Sequence, residues 1–352
     1  MCDHRLDIDC AGLHELISGV PYMLGFYPQD CLLVLPFYQE ERTYFPCVIR
    51  EDLVNLTSET VQPERLLATM AGRGWQAASL MVIAGGTRAG SDHPPHADLV
   101  GELDGAFRRN GIHVPFSLWV PRIEQGALWL RYCEHSPQSG RQKDPRDCPT
   151  AATATAMGKV IYERVEDFTD SLTPDKEAAR RERRMLYTLL ERSQDTEISQ
   201  NGKILSRKVH RVLEAVEAAE HEKFPTTDRE LVSLAWALED PLIRDSSYRF
   251  AFIEPAHAAI RLWQHLTRAL PGKHRADAAT LLAVTAALRG NTELARLAAQ
   301  TAVTADPDRA SEPELAEILP YGVISSTRMA TVGFATTMAV AKIGLSVADT
   351  RR

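Results

Sequence analysis

The 352-residue chain is 44% hydrophobic and 25% charged, ordinary values that leave room for two globular domains. Its formal net charge of −7 argues against a dedicated nucleic-acid binder, because neutralising phosphates takes clustered Lys and Arg. The six cysteines are scattered without a C-x-x-C pair, which predicts reduced thiols in a cytoplasmic protein. The opening residues hold no apolar h-region, so no secretory signal is expected. The uncharged run Met329–Ala341 is shorter than the roughly 20 residues a bilayer span needs, so no membrane segment is expected either.

In chain order, Leu13, Leu16, Ile17 and Val20 fall at helical spacing, which predicts a short helix over 10–19 that stops at Pro21. Gly25 and Pro28 punctuate a turn. Cys31–Phe37 (CLLVLPF) is a continuous apolar run that suits a strand buried on both faces, with Pro36 marking its end. Thr43–Arg50 reads as a second strand, joined to the first by a hairpin through 39–42. A helix is expected over 63–73, with Leu66, Leu67 and Met70 on one face. A buried strand over 77–84 follows, then a polar loop, then a helix over 96–110 with Leu99, Leu103, Ala106 and Phe107 facing inward. Strands are expected over 112–120 and 127–133, a loop over 134–149 and a small-residue helix over 150–158. Strands alternating with helices point to an α/β layer, a mixed sheet with helices packed on it.

Thr173, Pro174 and Asp175 form a helix-start signal, and from there strand-like runs nearly vanish. Helices are expected over 174–193, 203–223, 227–239, 255–270, 275–289, 291–305 and 312–319. Within them Ala295, Ala299, Ala302 and Pro307, with Gly290-Asn291 at the turn, match a tetratricopeptide-like hairpin, although no second copy follows at that period. The expected organisation is an α/β domain over 1–170, an all-helical domain over 171–320 and a tail over 321–352. In the tail, Met329, Val332, Ala335 (or Thr336) and Ala339 share one helical stripe. The sequence leaves open whether the tail packs back, self-associates or stays loose.

Four places resemble an uncharacterised family, domain of unknown function 4192, found chiefly in actinobacteria. The stretch VPYMLGFYPQDCLLVL is similar to its opening pattern, matching at Pro21, Tyr22, Gly25, Phe26, Pro28 and Asp30. Tyr27 stands where histidine is common, and Cys31 where serine is common. Arg50-Glu51-Asp52-Leu53 resembles its Arg-x-Asp-Leu, and the strand around Trp129, Arg131, Tyr132 and Cys133 resembles its Trp-x-x-Tyr-x-Cys region. The fourth place is the hairpin over 288–307. The resemblance implies a fold and no established activity, cofactor or catalytic residue.

The candidate chemistry is sparse. Cys31 beside a tight turn could be a nucleophile if His14, His113 or His135 approached it; the competing reading is a packed core residue. Arg50 and Asp52 point to one face of a strand, so they could orient a small anionic ligand, or be locked in an internal ion pair with a group such as Asp30. Cys133, His135 and Cys148, and separately His93 and His96, fall short of the four paired ligands of a structural zinc, so no metal is expected. The loop from Gly85 to Gly90 follows a strand but matches neither phosphate-binding pattern. The basic run 176–184 reads as a solvated helix face.

These features favour a ligand-binding or regulatory protein over an enzyme. Its candidate binding residues are Gly25, Phe26, Pro28, Asp30, Arg50 and Asp52, with Trp129 and Arg131 added by the resemblance. The helical domain is the expected surface for a protein partner. The alternative is a hydrolase or transferase with its site near the Gly25–Cys31 turn.

Overall fold

The computed structural model describes residues 10–38, 46–56, 63–85, 94–132, 138–178, 180, 201–253 and 255–344. The expected hairpin at 39–42, most of the glycine loop, His93, Cys133, His135, most of the helix over 174–193 and much of its basic run lie outside them. The chain divides into two compact units, residues 1–168 with 290–293, and residues 169–289 with 294–352.

The first unit is built on a mixed six-stranded sheet in the order β2-β1-β3-β4-β5-β6. The strands are β1 (Cys31–Phe37), β2 (Ile49–Asp52), β3 (Ala77–Ile83), β4 (Ser117–Val120), β5 (Leu128–Arg131) and β6 (Ser139–Arg141). The helices are α1 (Cys10–Leu24), α2 (Pro63–Arg73), α3 (Ala97–Arg109), α4 (Pro149–Ala156) and the short α5 (Val165–Asp170). β1 and β3 are buried along their whole length, as their continuous apolar runs require.

β3 and β4 are parallel, and β1 is antiparallel to both β2 and β3. β2 therefore runs in the direction of β3, and α2 and α3 are successive crossovers stepping the same way along the sheet. Crossovers of one hand and one direction fall on one face, which agrees with α2 packing against α3. On the other face α1 packs against α4, and His14 of α1 meets the Trp129 ring edge-on at 5.7 Å.

Several expectations are corrected. α1 continues through Pro21 to Leu24 and is closed by Gly25 at φ +95, because Val20 and Leu24 both belong to the core. β1, by contrast, keeps its expected bounds with Pro36 at its end: β2 pairs only with Cys31–Val34, so the missing N–H leaves no ladder bond to β2 unmade. Of the expected second strand over 43–50, residues 43–45 lie outside the described residues, 46–48 are not strand, and β2 runs from Ile49 to Asp52. The stretch 134–149 holds β6, where Gly140 lies so close to the Trp129 ring that a Cβ would fall 2.6 Å from it. α5 was not expected, and of the predicted inner residues of α3, Leu99 is only half-buried while Val100 is in the core.

The second unit is helical, with α6 (Asn201–Glu220), α7 (Asp228–Leu238), α8 (Pro241–Ser247), α9 (Ala256–Ala269), α10 (Gly272–Leu288), α11 (Thr292–Ala305), α12 (Pro313–Tyr321) and α13 (Ser326–Ile343). α8 was not foreseen. α7 opens on a capping box, in which the Thr227 hydroxyl accepts from Glu230 N and the Glu230 carboxylate accepts from Thr227 N. α10 is buried on nearly every side and packs against α9 and α12, the pattern of a central helix. Its one buried acid, Asp277, accepts from Arg244 at 2.8 Å and Arg309 at 2.5 Å. Within the expected tail, residues Ser326–Ile343 form α13, whose buried residues Val332, Thr336 and Ala339 lie on the predicted stripe. Among the described residues no helix is long and apolar enough to cross a membrane.

Candidate functional site

The turn between α1 and β1 is fixed from both sides. Gly25 O accepts from Tyr162 N at 2.9 Å, and Tyr27 N donates to Tyr162 O at 3.0 Å. Gly25 is required here twice over: its φ is left-handed, and a Cβ would press on the Phe168 ring at 3.2 Å. Phe26 is buried with its centroid 5.1 Å from that of Phe168. Pro28 is also buried, whereas Gln29 and Asp30 are exposed. Asp30 adopts φ +45, a left-handed conformation uncommon for a residue with a Cβ, and its carbonyl accepts from Leu53 N at 2.9 Å. That bond ties the turn to the single 3-10 turn Leu53–Asn55, where Val54 is 83% exposed.

Behind the turn sits Arg50. Its Nε donates to Glu293 Oε2 at 3.2 Å, its Nη1 pairs with the Asp52 carboxylate, and its guanidinium lies 5.6 Å from the Phe26 ring centroid. The Arg50 and Glu293 side chains are only 7% and 3% exposed. Burial works against the arginine's charge, but Glu293 and Asp52 outweigh it and hold the pKa above its ordinary value. Arg50 is thus locked between two carboxylates, neither of them Asp30. Its charge is already matched, which removes the electrostatic reason for expecting a small anion there. Glu293 is brought in with the segment 290–293, where the Thr292 hydroxyl donates to Val48 O.

Cys31 is fully buried beside this pair. Burial, opposed by Arg50, pushes its thiol up to about 12, and among the described residues the titratable groups acting on it are Arg50, Asp52, Glu293 and Asp30. His14 instead meets Trp129 and Gln142, and His113 bridges to Ala77. Among the described residues no base faces this neutral thiol, so none of them activates it as a nucleophile. Cys148 is also spoken for: its Sγ caps α4, accepting from Ala151 N at 3.3 Å. Among the described residues no three His, Cys, Asp or Glu are grouped to hold a metal ion.

Trp129 and Arg131 are not brought to this place. The strand register carries Asp52 and Trp129 to one row of the sheet, and Arg50 and Arg131 to the next, all on the same face. Four strand spacings separate them, about 19 Å. Between them lie Cys31, Leu33, Met81, Ile83 and Leu118, a continuous buried core. Trp129 is itself buried, and Arg131 is held by Gln138 Oε1 and Pro115 O, each at 2.9 Å. Both are parts of the scaffold.

Sequence reasoning missed two groups. Glu293 is 243 residues from Arg50, and no local pattern marks it. Lys159 donates to Tyr22 O at 2.5 Å and Met23 O at 3.3 Å, closing the C-terminus of α1, and burial pulls its pKa down to about 8. A lone lysine after a Met-Gly turn gives no sign of that role.

A mixed six-stranded sheet with packed helices, joined in one chain to a helical unit, defines the structural class. Within that class the chain belongs to the family described as Domain of unknown function (DUF4192), which matches residues 14–319. No curated protein and no solved structure matches the chain.

Proposed function

We propose that the chain is a cytoplasmic binding or regulatory protein, and that the Gly25–Asp30 turn with the Leu53–Asn55 turn beside it forms its docking surface. The observation that carries this reading is Asp30, an exposed carboxylate on a left-handed backbone, bonded through its carbonyl to the segment that holds Val54 out to solvent. Asp52, 44% exposed, adds a second carboxylate at the same edge. Acidic groups around one protruding aliphatic side chain suit a protein segment with a basic residue next to an apolar one better than a small anion. Behind them Arg50 and Glu293 act as a fixed support. The helical unit, with α10 and α11 read as a tetratricopeptide-like pair, would offer a further partner surface. The hydrolase or transferase reading gains no support from a buried, neutral Cys31.

The test compares recovery of cellular partners by wild type, Asp30→Lys and Val54→Glu, each first shown to melt like the wild type. Both variants are expected to lose the same partner by about tenfold or more, equivalent to about 1.4 kcal/mol. Unchanged recovery by both would remove the turn as a docking surface.

A further inference from the structure

The helix α13 carries two unlike faces. Val332, Thr336 and Ala339 are buried against α8 and the 3-10 turn Tyr248–Ala251. On the opposite side Ala330, Phe334, Thr337, Met338 and Ala341 form an exposed strip, with Phe334 69% and Met338 43% accessible. Only Arg328 and Lys342 are charged in the 18 residues of this helix. The threonines do not make the strip polar: the Thr337 hydroxyl donates to Gly333 O at 2.8 Å and that of Thr331 to Thr327 O at 3.0 Å, so both are turned back onto the backbone. Phe252, 47% exposed, borders the strip next to Gly333. An exposed Phe and Met on a nearly uncharged face is the kind of patch that marks an interaction surface.

Two features identify the occupant as a second copy of the chain. The first is shape. Phe334 sits at the middle of the helix, so a two-fold axis placed there pairs α13 antiparallel with its counterpart. Phe334 then meets Phe334 of the other copy, and Ala330 meets Met338, large against small.

The second is charge. Near the N-terminal end of α13, Arg328 is shared by Glu317 at 3.3 Å and Glu314 at 3.8 Å, so that end is acidic by one charge. At the other end Lys342 is exposed and has no ion pair among the described residues. The same two-fold axis brings Lys342 of each copy to the acidic end of the other, twice over. We propose that α13 is a homodimer interface with this isologous, antiparallel arrangement. One helix face about 27 Å long covers less than the roughly 800 Å² per partner of a standard interface, so the dimer is in the micromolar range.

Sedimentation velocity on the full chain, from about 1 to about 200 μM, tests this. The wild type is expected to pass from monomer to dimer across that range. Phe334→Asp is expected to raise the dissociation constant about 30-fold or more, the mark of a central anchor, with an unchanged melting curve. Met338→Ala, which shortens a side chain that is 43% exposed, serves as a second variant and is expected to weaken the dimer by a smaller factor. Lys342→Glu is expected to weaken it about threefold, within the range for exposed ion pairs. A chain that stays monomeric throughout overturns the proposal, whatever else binds the strip. A dimer indifferent to both Phe334→Asp and Met338→Ala also overturns it, and one indifferent only to Lys342→Glu overturns the antiparallel register.

Discussion

Arg50 gains its place from two carboxylates that lie at very different distances along the chain. Asp52 is two residues away on the same face of β2, and Glu293 arrives from the far side of the sequence. The energetic weight of the trio lies with Glu293, because its carboxylate is almost fully buried and loses a charge partner if the arginine is removed. Arg50→Ala is therefore expected to destabilise the protein by about 3–5 kcal/mol in urea unfolding. The pair Arg50→Met with Glu293→Gln, which removes both charges, should cost clearly less. Equal losses in the two variants would show that the ion pair is not what holds this corner.

At the scale of the element, the sheet depends on a few close backbone approaches. β6 is short and mostly exposed, and it stays on the sheet by letting Gly140 lie flat on the buried Trp129 ring. Gly140→Ala puts a methyl group where the indole stands. The ring is fixed between β5 and His14 and cannot withdraw freely. The expected cost is about 1–3 kcal/mol, read from the shift in the thermal midpoint. A neutral or stabilising result would mean that the ring yields, and that β6 is held by its ladder bonds alone. Glycine in a strand is usually a weakness; here it is the condition for burying a tryptophan.

Taken whole, the molecule's response to alkali offers a distinct signature. Lys159 has a folded pKa of about 8 against an ordinary value of 10.5. Between those values the unfolded chain binds the proton and the folded one releases it, so this group makes stability rise with pH from about 8 to about 10.5. Below about 8 both forms are protonated and its penalty is constant.

The two carbonyls that accept from its ammonium oppose the shift, so the rise is on the order of 1–2 kcal/mol. Cys31 and Cys47, whose thiols are pushed up to about 12, act in the other direction once the pH passes their ordinary value of 9. The clean measurement is therefore the difference in melting temperature between wild type and Lys159→Met from pH 7 to 10. The wild type should gain on the variant as pH rises, and a flat difference would show that Lys159 titrates normally.

Much of this architecture is legible in the residues themselves. The apolar runs CLLVLPF and AASLMVI are strands because seven consecutive buried side chains fit a sheet covered on both faces. α2 falls on its expected residues because Pro63 starts it and Gly74 follows its end. What the sequence alone determined is thus local: which stretches bury themselves, with what period, and where proline and glycine interrupt them. One such interruption was overruled, at Pro21, where Leu24 beyond the proline belongs to the core and carried the helix on.

The candidate site was decided only in three dimensions. Glu293 reaches Arg50 through a fold contact that leaves no trace in spacing. Trp129 and Arg131 share two rows of the sheet with Asp52 and Arg50, yet stand about 19 Å away across the core. Cys31 beside a tight turn admits a nucleophile in one dimension but already favours packing there, and its burial agrees with packing. Periodicity records how a side chain faces its own element, whereas charge pairing and exposure depend on which other element arrives, and that is fixed by tertiary structure.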